Sequence, residues 1–431
     1  MSDESAAHLE PAHKVQSAAS AAVSVGGHEI GYPHGHLGHL NEAEEEALRN
    51  FKMFLEEKEL YRPGPPPSHD DQTLLRFLRA RRWIVQDAYK QFSETEEWRK
   101  KNDLNALYNT IDTEAYEHSR SLYPQWTGRR DRRGIPLYLF EIRHLDSKTI
   151  ANYEKSAEKG TYSKASPDGS TPPKLLRLFA LYENLTRFAQ PLCTELPDRD
   201  HATTPITLST NIVDVSGVSL RQFWNLKSHM QAASTLATAH YPETLDRIFV
   251  VGAPYFFSTV WGWIKRWFDP ITVSKMFILS PAEVKPTLEA FIDVKNIPKQ
   301  YGGELDFKWG DRPLLDPYVE ERVTWENGFK DFPEGPLYWR ELECGKELEL
   351  LAVGSVKEKE RRVRVCRIPK AFPKEDVKEE VNGEAKVEEA KTGEVKVTAA
   401  VEADIQGVQN LAISEKVPEG EVKETVASVT A

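Results

Sequence analysis

Apolar residues recur along this chain at two different spacings, and the change from one to the other divides it. Leu48, Phe51, Phe54 and Leu55 share one helical face, and Asn41 followed by Glu44 has the form of a capping box opening that helix. The stretch RPGPPPSHD, Arg62 to Asp70, ends it, because proline lacks the amide donor and its ring clashes with the preceding turn. Helical spacing returns at about 71–82 and 86–101, the second segment carrying Ala88, Phe92 and Trp98. A small all-helical unit is therefore expected over 41–108. After Leu107 the period changes, and PLYLFEI from Pro136, ITLSTNIVDVSG from Ile206, DRIFVVGA from Asp246 and SKMFIL from Ser274 read as strands. Helical patterns appear at about 172–190, 219–239, 255–268 and 281–291. Strand alternating with helix predicts an α/β unit with a mostly parallel sheet over 109–310.

The polar stretch at 151–173 and the charged one from Pro197 to Thr204 read as surface loops. Trp309, Trp325, Tyr338 and Trp339 indicate that 311–369 packs on the body as a C-terminal extension, with RRVRVCRIP from Arg361 as an edge strand. Residues 1–40 are rich in Ala, Ser, Gly and His, and no aromatic residue follows Pro373. Neither arm, 1–40 or 370–431, offers enough apolar surface to offset chain entropy, so both are expected to be disordered. His28, His34, His36 and His39 lack a fixed helical spacing and read as part of a solvated linker rather than as metal ligands.

The 431 residues carry a formal net charge of -11. That excess of acid argues against bulk attraction to nucleic acid or to an anionic membrane, so any membrane contact has to be local and partly apolar. Cys193, Cys344 and Cys366 show no C-x-x-C spacing, which points away from a structural zinc site or a disulfide framework and towards a reducing compartment. The start, MSDESAAHLEP, lacks the apolar core of a secretory signal, and no apolar run approaches the ~18 residues of a membrane span. The end, ASVTA, is not a prenylation box. Phosphate-loop, nucleophile-elbow, zinc-helix and dinucleotide fingerprints are missing, so neither an enzyme nor a cofactor or metal is expected. Asp214 reads as a strand-end carboxylate that caps the following turn.

Phe256, Phe257, Val260, Trp261, Ile264, Trp267 and Phe268 recur at helical spacing. They suit a crossover helix that covers the sheet. With Lys265 and Arg266 beside Trp267, they also suit a surface that meets lipid headgroups with its bases and acyl chains with its rings. Arg76, Arg79, Arg81 and Arg82 are expected to point mostly outward from a helix whose Leu74, Leu75 and Leu78 face in. Such a cluster is either a solvated face or a phosphate site, since the planar guanidinium matches phosphate geometry. RRDRRG, from Arg129 to Gly134, reads as a solvated loop. Glu243 and Lys275 begin and end the aromatic segment, each just before a strand. They form either an exposed pair of little energetic value or a donor and acceptor for a polyhydroxyl or phosphate headgroup.

In LLRFLRARRW, GIPLYLFEI, STNIVDVSGVS, YPETLDRIFVVGAPYFFSTVW, FDPITVSKMFIL and IPKQYGG, taken in order over about 41–305, the chain resembles the CRAL-TRIO family of lipid-exchange proteins, and its fungal-type phosphatidylinositol transfer branch most of all. The resemblance implies a helical N-terminal domain and an α/β domain whose sheet floors an apolar pocket closed by a movable helical gate. It implies a headgroup site at Arg81 and Arg82 of the RAR[KR] motif, Tyr241 and Glu243 of Tyr-Pro-Glu, and Thr272 and Lys275 of DPxTxxK. Phe256 to Phe268 match the gate, and the second lipid's site corresponds to Ser209, Asn211 and Tyr138. Two positions depart from the pattern. Asn211 replaces the Thr of a Ser-x-Thr pair found in members that take phosphatidylcholine, which argues against that second ligand, and Thr244 replaces a basic residue. The activity implied is non-enzymatic exchange of phosphatidylinositol for a second lipid. The carrier would be monomeric, cytoplasmic and peripheral on endomembranes, touching the membrane transiently and presenting its lipid to a lipid kinase. Family members that carry a sterol, an isoprenoid or haem typically lack the Glu, Thr and Lys; a membrane-reading scaffold is the remaining alternative.

Overall fold

The computed structural model describes residues 23–25, 28–158, 163–267 and 270–372. Most of the two arms expected to be disordered lies outside these residues. Its N-terminal helices are α1 (Glu42–Glu57), α2 (Asp71–Ala80), α3 (Val85–Lys101), α4 (Leu104–Thr110) and α5 (Thr113–Arg120). The capping box is present: Asn41 Oδ1 accepts from the Glu44 amide at 3.0 Å, and the Asn41 amide donates to Glu44 Oε2 at 3.1 Å. Phe51, Leu55, Leu74, Leu75, Leu78 and Phe92 close one apolar cluster. Each such side chain contributes roughly 1.5–3 kcal/mol on burial.

A five-stranded sheet follows, in sequential order: β1 (Gln125–Arg130), β2 (Pro136–Glu141), β3 (Ser209–Asp214), β4 (Leu245–Val251) and β5 (Met276–Ile278). Only the β1–β2 pair is antiparallel; Leu139, Ile212, Phe249 and Phe277 lie across the parallel ladder in register. Because strand side chains alternate, these four share one face. That face is closed by α11 (Pro281–Phe291) and by Ile297, Leu305 and Phe307. The other face is covered by α7 (Pro173–Asn184), α8 (Leu220–His240) and α9 (Phe257–Ile264). Asp214 does cap its turn, accepting from the Ser216 amide at 2.8 Å, and also accepts from the Tyr301 hydroxyl at 2.8 Å.

Several expectations need correction. Residues 31–40 are folded, because Tyr32 and His36 are buried and the Arg199 guanidinium donates to the Tyr32 hydroxyl at 2.6 Å. Val23–Val25 and His28–Ile30 also pair as a short antiparallel ribbon. The polar stretch from 151 is not all loop: α6 (Ser147–Glu158) buries Tyr153 and Ala157. RRDRRG is not a solvated loop either. It belongs in part to β1; Arg130 donates to both oxygens of Asp198, at 2.7 and 2.9 Å, and Arg133 pairs with Asp131 and Asp246. The irregular register of β1 follows from Gly128 (φ +86), where an added Cβ would lie 2.4 Å from the Leu314 carbonyl oxygen.

The C-terminal extension is an antiparallel sheet of β6 (Thr324–Trp325), β7 (Leu337–Glu341), β8 (Glu347–Ala352) and β9 (Val363–Pro369), ordered β6-β9-β8-β7. β9 is thus an inner strand, not an edge. Leu348, Leu350, Val365 and Ile368 pack with Trp126 and Phe188 of the α/β unit, so the extension shares a core with it.

Candidate functional site

The sheet face opposite α11 floors a cavity. Strand alternation brings Tyr138 and Phe140 of β2, Asn211 and Val213 of β3, Ile248 and Val250 of β4 and Met276 of β5 to its wall. Leu178 and Leu181 of α7, Ala233 and Ala237 of α8, and Phe257 and Trp261 of α9 form the opposite wall. Some 410 Å³ of the cavity is open to the centre of a water molecule. A one-residue slip of any strand would turn its lining set away from the cavity.

Charge gathers where β4 and β5 begin. The Lys275 ammonium donates to Glu243 Oε2 at 3.0 Å and to the Leu245 carbonyl at 3.0 Å. The two side chains are only 15% and 19% exposed, and both line the cavity. Glu243 sits at φ +53, a left-handed conformation that costs a non-glycine residue roughly 1 kcal/mol or more. Thr272, on α10 (Pro270–Ser274), and Arg81, the C-cap of α2, complete this end. The net charge of the Glu–Lys pair is zero, so it presents one strong acceptor and one strong donor.

The structure separates the remaining members of the expected headgroup set. Arg82 is exposed and does not line the cavity. Arg76 is buried rather than outward, with Nη1 3.5 Å from the Pro242 carbonyl. Arg79 donates to the Gly35 carbonyl at 2.9 Å, tying the folded 31–40 segment to α2. Tyr241 lines the cavity, but its hydroxyl is taken: it donates to Glu183 Oε1 at 2.6 Å. Burial raises the Tyr241 phenol well above its usual pKa, and the Glu183 charge adds to that. Burial alone would raise Glu183, yet Arg99 and Arg187 hold it down at about 2. Arg99 donates to both Glu183 oxygens, at 2.6 and 3.1 Å, and Arg187 lies 2.6 Å from Oε2. Sequence reasoning missed this buried cluster; only the i, i+4 spacing of Glu183 and Arg187 could have hinted at it.

The expected gate residues also divide. Phe257 and Trp261 line the cavity with near-parallel rings, 6.3 Å between centroids. Val260 is 1% exposed but does not line the cavity, and neither does the half-buried Phe256. The side chains of Ile264, Trp267 and Phe268 lie outside the described residues. The outer side of α9 carries Trp263, whose ring lies 5.2 Å from that of Trp224 on α8. Ser209, Asn211 and Tyr138 do meet at the wall. The Ser209 hydroxyl donates to the Thr244 carbonyl at 3.1 Å, and the Asn211 amide nitrogen donates to Ser209 Oγ at 3.1 Å.

Residues 120–303 match the CRAL/TRIO domain model, and residues 37–94 match that of the CRAL/TRIO N-terminal domain. The chain is 31% identical over 275 residues to the CRAL-TRIO domain-containing protein YKL091C of Saccharomyces cerevisiae, covering 62% of this chain and 80% of that protein. It is 28% identical over 302 residues to the SEC14 cytosolic factor of Eremothecium gossypii, covering 70% of this chain and 88% of that protein. It is also 28% identical over 302 residues to the phosphatidylinositol/phosphatidylcholine transfer protein SFH9 of Arabidopsis thaliana, covering 66% of this chain and 46% of that protein. Among solved structures, that of Sfh5 matches 65% of this chain and 96% of its own at 15% identity, with a TM-score of 0.45. On the first of these relatives and the two domain matches, the chain belongs to the CRAL/TRIO family.

Proposed function

We propose that this protein is a non-enzymatic phospholipid carrier that exchanges phosphatidylinositol for a second lipid. The observation that carries this reading is one cavity with apolar walls and a single ion-paired end, Glu243 with Lys275. Two acyl chains hold on the order of 30 methylenes, whose exposure to water costs ~24 kcal/mol at about 0.8 kcal/mol each. An apolar cavity makes their transfer from a bilayer nearly neutral. Selection is then left to the polar end. Inositol hydroxyls both donate and accept, so they satisfy Glu243 and Lys275 together, while Arg81 and Thr272 supply donors for the phosphate. A headgroup without hydroxyls forgoes these added bonds to the pair and is disfavoured.

The relatives named as transfer proteins support this reading, as does the surface around α9. Tyr255 is 97% exposed, Trp224 46% and Trp263 37%, with Lys265 and Arg266 also exposed. Lys227 lies over the Trp224 ring at 5.0 Å. Aromatic rings flanked by bases suit a membrane interface, and α9 also walls the cavity, so membrane contact and opening would be coupled. Among the described residues no helix is long and apolar enough to cross a membrane. Lys275→Ala should lower phosphatidylinositol transfer between vesicles about tenfold or more, equivalent to ~1.4 kcal/mol, with the melting temperature retained. Undiminished transfer by that variant would contradict the headgroup assignment.

A further inference from the structure

Residues 31–40 strap the helical unit to the α/β unit beside the polar end of the cavity. At one end Tyr32 packs with Ile135, Cys193, Ile206 and Leu208, and its hydroxyl accepts from Arg199 at 2.6 Å. At the other end Leu40 packs on the cluster that holds Leu74, Leu78 and Phe92. Between them the Gly35 carbonyl accepts from Arg79 of α2 at 2.9 Å, and the same guanidinium reaches Thr207 Oγ1, just before β3, at 3.4 Å. Glycine is needed at 35: φ is +69, and an added Cβ would lie 3.1 Å from Trp83 Cζ2 and 3.2 Å from Arg79 Cδ. Arg79 stands two residues before Arg81, which lines the cavity, and Glu243 is the carboxylate that acts on Arg79 most strongly. The strap thus holds α2, and with it Arg81, against the headgroup end.

The only ionisable side chains of the strap besides Tyr32 are His34, His36 and His39. His36 is 4% exposed, and its Nδ1 lies 3.0 Å from the His34 carbonyl, so Nδ1 carries the proton. Its Nε2 is enclosed with no hydrogen-bond partner. A second proton would therefore sit on an enclosed nitrogen without an acceptor. The charges facing that ring are Arg79 of α2, Asp246 of β4 and Lys275 before β5, two bases against one acid. Burial first, and Arg79 next, hold the His36 imidazole well below its usual pKa. The His39 ring meets His201 of the 197–204 stretch edge-on, with centroids 4.8 Å apart, and burial, His201 and His34 lower its pKa too. We infer that residues 31–40 are a proton-sensitive latch, which clamps α2 to the headgroup end while its histidines are neutral and lets go when they are charged, speeding release of the bound lipid. The latch itself goes beyond the carrier reading; its effect on lipid release rests on that reading. The shut latch binds fewer protons than the open one, so it is favoured above the ~6.5 of a free histidine and loses ground below it.

Amide hydrogen exchange of the purified full chain at about pH 7.5 and about pH 5.5, corrected for the intrinsic effect of pH, reads the latch directly. The amides of His34, His36 and His39 bond to carbonyls within the strap at 2.9, 3.1 and 2.9 Å. Relative to the inner strands of the sheet, they should exchange about tenfold faster at the lower pH, the factor for one excluded proton a unit below the free value. His36→Gln keeps a donor for the His34 carbonyl and takes no proton, so it should remove most of that rise. Should His36→Gln unseat the strap at the higher pH, His36→Phe refills the volume of the ring and gives the same readout. Gly35→Ala should open the strap at both pH values. Phosphatidylinositol loaded into the chain should leave for acceptor vesicles several-fold faster at the lower pH from the wild type, and at both pH values from Gly35→Ala. Exchange in 31–40 that ignores pH, or a rise that survives both His36 variants, would overturn the latch. An opening latch with unaltered lipid release would overturn its role at the headgroup end. A chain that takes up no phosphatidylinositol would sink the carrier reading, while the exchange data would still decide the latch.

Discussion

Glu183 sits within the apolar run LLRLFALYENLTRF and meets a guanidinium 84 residues away. A carboxylate 2% exposed survives there only because Arg99, Arg187 and the Tyr241 hydroxyl all reach it. Glu183→Gln keeps the shape but strands two arginines, and should cost about 3 kcal/mol in a denaturant titration. A loss below ~0.5 kcal/mol would mean that the cluster is solvated. Nearby, His240 stacks on Trp98, their centroids 4.0 Å apart, and burial together with Arg99 pushes its pKa down to about 4. Between that value and the ~6.5 of a free histidine, the unfolded chain binds a proton that the folded one does not. Stability should therefore fall as pH drops from about 6.5 towards 4. His240→Phe preserves the stack and should flatten that part of the melting-temperature profile; an unchanged slope would assign the effect elsewhere. Of the residues at the site, Glu243, Thr272 and Lys275 were legible because they sit in short contiguous motifs. Glu183 was not, because its partners Arg99 and Tyr241 come from other elements of the fold.

Elements were readable where a single period governs them. The inner strands alternate cleanly, and their odd and even positions divide between the α11 face and the cavity. β1 was missed because Gly128 and its arginines interrupt the alternation, and the burial of Arg130 depends on Asp198 and Asp316 arriving from elsewhere. α6 was missed because only Tyr153 and Ala157 of its twelve residues are buried, too few to mark a face. α9 is aromatic on both sides, which is why the sequence admitted two readings of it. Phe257 and Trp261 turn to the cavity and Trp263 to the surface. If the outer rings dock on lipid, replacing both Trp224 and Trp263 with Ala should weaken sedimentation with phosphatidylcholine vesicles several-fold while the circular dichroism spectrum holds. Unaltered sedimentation would move the docking surface elsewhere.

On the scale of the whole molecule, the helical unit, the α/β unit and the C-terminal sheet meet through shared cores rather than linkers. The second sheet lies beyond the matched CRAL/TRIO residues, yet Trp126 and Phe188 are packed by Val365, which is 0% exposed. A charge placed there, as in Val365→Asp, would be buried without a partner and should cost several kcal/mol. It should also unfold both sheets in one transition; two separate transitions would make the extension an independent module. Its inner strand β9 looked like an edge in the sequence because strand order is set by pairings far apart along the chain.

The central claim is that the cavity holds a phosphoinositide by its headgroup. Native mass spectrometry of the purified full-length chain, followed by extraction and identification of the bound lipid, tests it most directly. The account predicts phosphatidylinositol in a share of the molecules at one per chain, and its loss from Lys275→Ala. Wild-type protein that carries no phosphatidylinositol, even after incubation with vesicles containing it, would reduce Glu243 and Lys275 to a structural ion pair and contradict the account.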